Sequence, residues 1–196
     1  MLAGDAKDVL VSGCGASEIG AELSDRHAHR VVCVDARVSG VPAAAARPRR
    51  DRDPAIFRCR ALVAHMQHRY GAKDRLEYRE ADCRDLRAFD ECAYDLVLDK
   101  ALFDCVLCGS QNLSGVALMT AEAFRVLKPG GAYVVVSHGA PQTRLGYLER
   151  PALDWRVSIV PVQKPRIAAE PQRADDVYYV YVCRKAARAP SEASLY

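Results

Sequence analysis

The sequence predicts an α/β fold: a doubly wound, mostly parallel seven-stranded sheet that closes with an antiparallel C-terminal strand pair. Segments typical of strands and helices alternate along almost the whole chain of 196 residues. Several early strand segments are continuous apolar runs, such as Val-Val-Cys-Val at 31–34, which is typical of parallel strands covered on both faces. The last two strand segments are joined by a polar stretch, 163–176, without a helical pattern. We therefore expect these two strands to pair antiparallel.

The elements follow from apolar periodicity and from the turn residues between them. The long helix ends at Leu127-Lys128-Pro129-Gly130-Gly131, because proline and glycine stop a helix and turn the chain. The predicted strands are Val9–Ser12, Arg30–Val34, Leu76–Glu80, Tyr94–Asp99, Ala132–Ser137, Trp155–Val162 and Val177–Arg184. The predicted helices are Glu18–Asp25, Ile56–Tyr70, Phe103–Cys108 and Gly115–Leu127.

The domain organisation predicted from the sequence is a single domain over residues 1–186. Between Asp35 and Ile56 the chain is dominated by proline, alanine and arginine and has no apolar period, so we expect a flexible insertion at 36–55. The polar, alanine-rich residues 187–196 predict a disordered tail.

Composition excludes several functional classes. The net charge of +3 and the pI near 8.4 are too mild for a dedicated nucleic-acid binder, so no stable nucleic-acid binding is expected. No apolar run reaches the roughly 18 residues of a membrane span, and the N-terminus lacks a signal-peptide pattern. We therefore expect a cytoplasmic protein without membrane contact.

The eight cysteines do not predict a metal or disulfide framework. Most lie within apolar segments, which is typical of reduced, buried thiols. Cys105 and Cys108 are the one close pair, and no second pair or spaced histidines accompany them. No metal site is predicted.

The most informative motif is the turn Gly13-Cys14-Gly15 after the first strand. Glycines at these positions let the backbone turn tightly and approach a ligand closely. Asp35 ends the second strand about 20 residues later, where its carboxylate can accept hydrogen bonds from ribose hydroxyls. This spacing is typical of a nucleotide-binding βαβ unit.

Glu18 occupies the position of the third glycine of a dinucleotide-binding loop. A carboxylate at the start of a helix disfavours a pyrophosphate there, because like charges repel. The loop therefore favours an adenosine ligand without phosphates, for which S-adenosylmethionine is the candidate. The absence of a Tyr-x-x-x-Lys pair also weighs against an NAD-dependent dehydrogenase.

Two further acidic residues end the third and fourth predicted strands. Asp82 can accept the exocyclic amine of adenine, and the following backbone N–H of Cys83 can meet a ring nitrogen. Asp99-Lys100 follows the fourth strand, beside the expected position of the sulfonium methyl. Because the carboxyl ends of parallel strands meet at one edge, we expect these groups to form one site.

These motifs together resemble a known family. Val-Leu-Val-Ser-Gly-Cys-Gly-Ala-Ser-Glu-Ile-Gly, Cys-Val-Asp, Glu-Ala-Asp-Cys, Tyr-Asp-Leu-Val-Leu-Asp-Lys and Val-Leu-Lys-Pro-Gly-Gly resemble the class I, seven-stranded S-adenosylmethionine-dependent methyltransferases, which have a Rossmann-like fold. Gly-Cys-Gly-Ala-Ser with Asp99-Lys100-Ala-Leu-Phe-Asp104 is similar to one branch. That branch contains lysine methyltransferases acting on elongation factor 1-alpha and on citrate synthase.

The resemblance implies a set of site residues and a protein substrate. The implied cofactor residues are Gly13, Cys14, Gly15, Ser17, Asp35, Ala36, Asp82, Cys83 and Asp99. The implied methyl-transfer face consists of Asp99, Lys100, Phe103 and Asp104. We expect Asp99 or Asp104 to orient the incoming amine, Phe103 to form a wall, and Lys100 to make an internal ion pair.

Departures from the branch leave alternatives open. Ala101 replaces the glycine of the motif and Phe103 its leucine, which alters backbone approach and pocket shape. Relatives carry an N-terminal helical segment over the cofactor that this sequence lacks, so we expect either a truncated family member or a more open cofactor site. A small-molecule methyltransferase shares every cofactor residue, and a non-catalytic family member with weak cofactor binding is a further alternative.

Overall fold

Seven strands form one mixed sheet in the computed structural model, which describes residues 5–35, 59–109, 112–165 and 176–187. The strands are β1 (Asp8–Ser12), β2 (Arg30–Asp35), β3 (Leu76–Glu80), β4 (Tyr94–Lys100), β5 (Leu127–Ser137), β6 (Trp155–Gln163) and β7 (Val177–Lys185). Their spatial order is β3-β2-β1-β4-β5-β7-β6. In this spatial order, the neighbouring strands β3, β2, β1, β4 and β5 are all parallel. Strand β7 runs antiparallel to both β5 and β6. The predicted fold class is confirmed.

Five helices connect the strands within the described residues. They are α1 (Ile19–His27), α2 (Cys59–Tyr70), α3 (Leu102–Leu107), α4 (Asn112–Val126) and α5 (Leu145–Leu148). The four predicted helices are all present with shifted ends, and residues 56–58 of the second prediction lie outside the described residues. Helix α5 and the 3₁₀ turn Pro141–Thr143 before it were not predicted, because these elements are too short to show an apolar period.

The start of β5 differs from the prediction. The strand begins at Leu127 directly after α4, whereas the sequence suggested a turn before Ala132. Leu127 pairs with Tyr94 and Ala132 pairs with Leu96, so the Lys-Pro-Gly-Gly segment is extruded as an irregularity between two ladder positions. Gly130 has φ of +77°, a conformation that glycine adopts without strain.

The sheet is buried on both faces by two apolar clusters. Along β1, Val9 and Val11 join the cluster beneath α1 and α2, whereas Leu10 joins the cluster beneath α3 and α4. This alternation follows the two-residue period of a strand. It explains why the early strands have continuous apolar sequences. Since the carboxyl ends of β1 to β5 lie at one edge, the turns after these strands are brought together there.

The insertion predicted at 36–55 and nearly all of the predicted tail at 187–196 lie outside the described residues. In the described part of the chain, no helix is long and apolar enough to cross a membrane.

Candidate functional site

The glycine turn after β1 is fixed by hydrogen bonds to β2. The backbone N–H groups of Gly13 and Cys14 both donate to the carbonyl of Val34, at 2.9 and 3.2 Å. Gly13 has φ of +63°, and a Cβ there would lie 2.8 Å from the Cβ of Leu102. Glycine is therefore required at position 13 by both backbone conformation and the close approach of α3.

Gly15 presents the opposite situation on the outer side of the same turn. Its φ is +54°, and a Cβ built there would meet nothing within 4 Å. Its N–H donates to Oδ2 of Asp35 at 2.7 Å, which joins the turn to the end of β2. Among the described residues, no other group donates to the Asp35 carboxylate, so Oδ1 is free to accept from a ligand. This arrangement fits a ribose beside an open glycine turn.

Cys14 contributes through its backbone, because its thiol points into the protein. The residue is only 4% exposed. A hydrogen bond with the Cys33 thiol, together with burial, raises the pKa of Cys14 well above its ordinary value. Ser17 closes the turn, since its N–H donates to the Cys14 carbonyl at 3.0 Å.

Glu18 is ion-paired to α2 and does not cap α1. Its carboxylate accepts from Arg69 Nη2 at 2.6 Å and from the Tyr70 hydroxyl at 3.0 Å. Because the guanidinium partly offsets its charge, Glu18 repels a pyrophosphate less strongly than its position in the sequence suggests. The preference for a ligand without phosphates therefore rests less on Glu18 than the sequence analysis assumed.

The turn after β3 holds its acidic residue in a tight local pair. Both oxygens of Asp82 accept from the guanidinium of Arg84, and Oδ1 also accepts the Arg84 backbone N–H at 2.9 Å. Burial raises the pKa of Asp82, but these charged hydrogen bonds outweigh it and leave the pKa below its ordinary value. The neighbouring Cys83 thiol is buried, which raises its pKa. Asp82 is therefore ionised and fixed in orientation at neutral pH.

Asp99 lies at the end of β4 and is fully buried. Its Oδ1 accepts the backbone N–H of Phe103 at 3.2 Å, and its Oδ2 accepts the Tyr133 hydroxyl at 3.0 Å. Burial raises the pKa of Asp99 to about 7, although these two hydrogen bonds lower it. Asp99 thus joins the start of α3 to β5 and is not exposed to a substrate.

Asp104 is the centre of a polar cluster that we call the Asp104 cluster: Asp104, Ser137, His138, Gly139 and Arg144. Asp104 Oδ1 accepts from Ser137 Oγ at 2.5 Å and from Arg144 Nε and Nη2 at 3.1 and 2.9 Å. Its Oδ2 accepts the backbone N–H of His138 at 2.9 Å. The cluster therefore joins α3 to the end of β5 and to the segment before α5.

The remaining two residues of the predicted methyl-transfer face differ from expectation. Phe103 has no exposed surface and packs edge-on against Tyr147, with ring centroids 6.3 Å apart. It supports α3 from inside the core instead of forming an open wall. Lys100 is exposed at the end of β4, and none of the described residues forms an ion pair with it. The described residues therefore provide no partner for the predicted internal ion pair of Lys100, which stays a prediction.

Four members of the Asp104 cluster were missed by the sequence analysis. Ser137 is the last residue of the predicted strand 132–137, His138 and Gly139 follow it, and Arg144 comes six residues after His138. A Cβ at Gly139 would lie 2.1 Å from Cζ of Arg144, so glycine allows the guanidinium to reach Asp104. The sequence did contain a signal for these residues, since the polar segment 137–139 comes at the end of a buried strand, at the same edge of the sheet as Asp99.

The remaining predictions of site residues concern Ala36, the cysteines and a metal site. Ala36 lies outside the described residues. Cys14, Cys33, Cys83 and Cys183 are buried as expected, whereas Cys92, Cys105 and Cys108 are exposed. In the described ranges, no group of three or more His, Cys, Asp or Glu side chains is placed to hold a metal ion.

A surface cavity of about 290 Å³ lies at the opposite edge, where β2, β3 and β4 begin. Part of its charged lining is paired, since Arg79 pairs with Glu77 and Arg30 with Asp8. Among the described residues, the buried side-chain polar atoms without a hydrogen-bond partner are His29 Nε2 and the Tyr78 hydroxyl oxygen, and neither residue lines this cavity. The strand carboxyl edge carries the candidate site.

Comparison with known families agrees with this geometry. A family model described as "Methyltransferase domain" matches residues 10–135. The chain belongs to the methyltransferase domain family. The matched range includes the glycine turn, Asp35, Asp82, Asp99 and Asp104, and it ends before Ser137.

Curated relatives of this methyltransferase domain include two mouse proteins. EEF1A lysine methyltransferase 4 is 29% identical over 102 residues, covering 48% of this chain and 40% of the relative. The eEF1A lysine and N-terminal methyltransferase is 26% identical over 191 residues, covering 94% of this chain and 24% of the relative. The chain therefore spans less than half the length of either relative.

Solved structures share the fold at low identity. A methyltransferase from Pyrococcus furiosus has a TM-score of 0.62 at 13% identity, with 95% of this chain and 78% of that chain covered. A TehB-like S-adenosylmethionine-dependent methyltransferase from Corynebacterium glutamicum has a TM-score of 0.58 at 18% identity, with 94% and 83% covered. The predicted family resemblance is confirmed at the level of fold and domain family.

Proposed function

We propose that this chain binds S-adenosylmethionine and transfers its methyl group to an amine nitrogen of a protein, foremost a lysine side chain. The observation that carries the proposal is the hydrogen bond between Gly15 N–H and Asp35 Oδ2 at an open glycine turn. Membership of the methyltransferase domain family supports the reaction class. The names of the two mouse relatives support a protein amine as the acceptor.

The strand ends β1, β2 and β3 would hold the cofactor, and we call them the cofactor edge. Oδ1 of Asp35, to which none of the described residues donates, would accept from the ribose, while Gly13, Gly15 and Ser17 would allow close backbone approach. Each carboxylate oxygen has two lone pairs, so Asp82 can accept from an adenine amino group while it is paired with Arg84. The backbone beside Cys83 would meet the adenine ring.

The carboxyl ends of β4 and β5 and the start of β7 would receive the acceptor, and we call them the acceptor edge. When bound, S-adenosylmethionine supplies an electrophilic methyl group on a sulfonium. The task of the protein is then to align the acceptor amine and to exclude water. Asp99 and the Asp104 cluster fix α3 against β5, and this rigidity would keep the acceptor position constant.

An N-terminal α-amine is a second candidate acceptor. The relative that covers 94% of this chain is named as a lysine and N-terminal methyltransferase. Both acceptors are primary amines attached to a polypeptide, so they make the same chemical demand on the acceptor edge.

Isothermal calorimetry tests cofactor binding directly. S-adenosylmethionine, S-adenosylhomocysteine and NAD are titrated separately into the purified chain. We expect both adenosyl ligands to bind and NAD to bind at least tenfold more weakly. Binding of NAD alone would contradict the proposal, and so would the absence of binding by either adenosyl ligand.

A second experiment identifies the acceptor class. Radiolabelled S-adenosylmethionine is incubated with the chain and a cell lysate, with and without protease treatment of the product. We expect label in protein bands that protease removes, and acid hydrolysis should release methylated lysine. Release of an N-terminal methylated residue would favour the second candidate, and label only in small molecules would exclude both.

A further inference from the structure

We propose that the imidazole of His138 is the general base that removes the proton from the acceptor amine. The inference rests on the proposed function, since an amine is protonated near neutral pH and must lose a proton before its lone pair can attack a methyl group. Neither the methyltransferase domain match, which ends at residue 135, nor the motifs read from the sequence includes this residue.

His138 lies where the acceptor edge requires a base. In the β4–β5 ladder, Lys100 pairs with Val136, and the N–H of Ala101 donates to the Val136 carbonyl at 3.0 Å. His138 is two residues beyond Val136, just past the carboxyl end of β5. Its side chain is exposed, although Ser137 before it is buried.

The residue is held from three directions while its ring nitrogens stay open. Asp104 Oδ2 accepts the His138 backbone N–H at 2.9 Å. The ring stands edge-on to Tyr178 of β7, with centroids 4.7 Å apart and an interplanar angle of 64°. The carbonyl of the next residue, Gly139, accepts the Tyr181 hydroxyl at 2.6 Å. In the described part of the chain, neither imidazole nitrogen has a hydrogen-bond partner.

The two motif carboxylates are poorly placed for this task. Asp99 is fully buried and accepts hydrogen bonds on both oxygens. Asp104 accepts four hydrogen bonds and is paired with Arg144. Lys100 and Arg144 are cations and accept no proton. Histidine is the side chain whose ordinary pKa lies nearest neutrality, so it can serve as a base there.

The cations on the elements around His138 differ in whether they are paired with a carboxylate. Arg144 is balanced by Asp104, and Lys164, whose Nζ lies 5.5 Å from the Tyr178 ring centroid, is balanced by Asp176. Lys100 has no such partner among the described residues. Its positive charge disfavours an acceptor ammonium nearby, which makes removal of the amine proton easier.

The proposed reaction consists of a proton transfer to His138 followed by a methyl transfer to the amine. A proton passes from the acceptor ammonium to a ring nitrogen of neutral His138, giving a free amine and an imidazolium. The amine lone pair then forms the N–C bond to the methyl carbon, and the S–C pair returns to sulfur. The products are a methylated ammonium and neutral S-adenosylhomocysteine, and His138 later loses its proton to water.

The test compares His138→Gln with His68→Gln, a matched change of an exposed histidine on α2. Protein methylation in the lysate is measured from pH 6 to pH 9.5, together with the affinity for S-adenosylhomocysteine. We expect His138→Gln to lose at least about tenfold in rate at pH 7, with a loss that shrinks as pH rises, since the amine then deprotonates unaided. S-adenosylhomocysteine affinity should stay within about threefold, and His68→Gln should behave as wild type.

A binding readout that needs no turnover accompanies the rates. Nα-acetyl-lysinamide is titrated into the S-adenosylhomocysteine complex while the histidine Cε1–H signals are followed by NMR. A saturable shift of the His138 signal without a shift of His68 supports the proposal. A wild-type rate in His138→Gln, or an equal loss at every pH, would overturn it while leaving the proposed function intact. Failure of the wild-type chain to label any protein would overturn both.

Discussion

Asp35 at the cofactor edge and the two carboxylates of the acceptor edge make different contacts. At the cofactor edge, Asp35 accepts one hydrogen bond from the described residues, and this bond is made by Oδ2. At the acceptor edge, Asp99 and Asp104 together accept six hydrogen bonds, and Asp99 has no exposed surface. Acidic residues at equivalent strand ends thus make few contacts within the described residues in one place and hold elements of the fold together in another.

The largest expected effect comes from removing the centre of the Asp104 cluster. Asp104→Ala leaves a largely buried guanidinium, a hydroxyl and a backbone N–H without their acceptor. We expect unfolding free energy to fall by about 3 kcal/mol, as for breaking a buried ion pair. Asp104→Asn, which keeps one acceptor oxygen, should lose about half as much. Denaturant unfolding of both variants measures this, and equal stability to wild type would show that the cluster is not structural.

The second prediction concerns the pH dependence that Asp99 produces. Burial raises its pKa from the ordinary 3.8 to about 7 in the folded protein, so the folded state holds the proton more tightly. The stability contribution of this group is therefore full below pH 3.8 and is lost as pH rises through about 7. Asp99→Asn lacks this titration. The unfolding free energy of the variant minus that of wild type should therefore rise by about 2 kcal/mol between pH 5 and pH 8. A stability difference independent of pH would contradict the neutral, buried carboxyl.

The third prediction compares two glycines with positive φ. Gly13→Ala adds a Cβ 2.8 Å from Leu102, whereas Gly130→Ala meets nothing within 4 Å. Both changes carry the backbone cost of about 1 kcal/mol, but only the first adds a clash. Thermal unfolding should therefore show a larger loss for Gly13→Ala. Equal losses of stability in the two variants would mean that α3 moves away from residue 13 without a measurable cost.

The smallest expected change in stability belongs to the cofactor edge. Asp35→Ala removes one partly exposed hydrogen bond, so unfolding free energy should fall by less than about 1 kcal/mol. Denaturant unfolding beside Asp104→Ala gives the contrast between the two edges directly. A loss as large as that of Asp104→Ala would remove the distinction between them.

The sequence predicted the fold closely because its signals are local and repeated. Apolar runs such as 31–34 and the polar stretch at 163–176 indicate parallel and antiparallel strands without knowledge of the partner strand. The ends of elements were less predictable. The extruded segment at 128–131, for instance, depends on the pairing of Leu127 with Tyr94, which no local pattern reveals.

The candidate site could be predicted from the sequence only where its residues lie close together along the chain. Gly13, Gly15 and Asp35 are joined within one βαβ unit, so their spacing carries the information. The partners of Asp104 lie 33 to 40 residues away in sequence, on β5 and before α5. Arg144 and Ser137 could not be paired with Asp104 before the strand order was known, and the charge of Asp104 alone suggested a substrate-facing role.

The most direct test of the account is the affinity for S-adenosylhomocysteine of three variants. Calorimetry compares Asp35→Ala with Asp104→Asn and with Asp25→Ala, which removes an exposed carboxylate on α1. We predict that Asp35→Ala weakens binding at least tenfold, while Asp104→Asn and Asp25→Ala remain within about threefold of wild type. Unchanged binding by Asp35→Ala together with lost binding by Asp104→Asn would contradict the division into a cofactor edge and an acceptor edge.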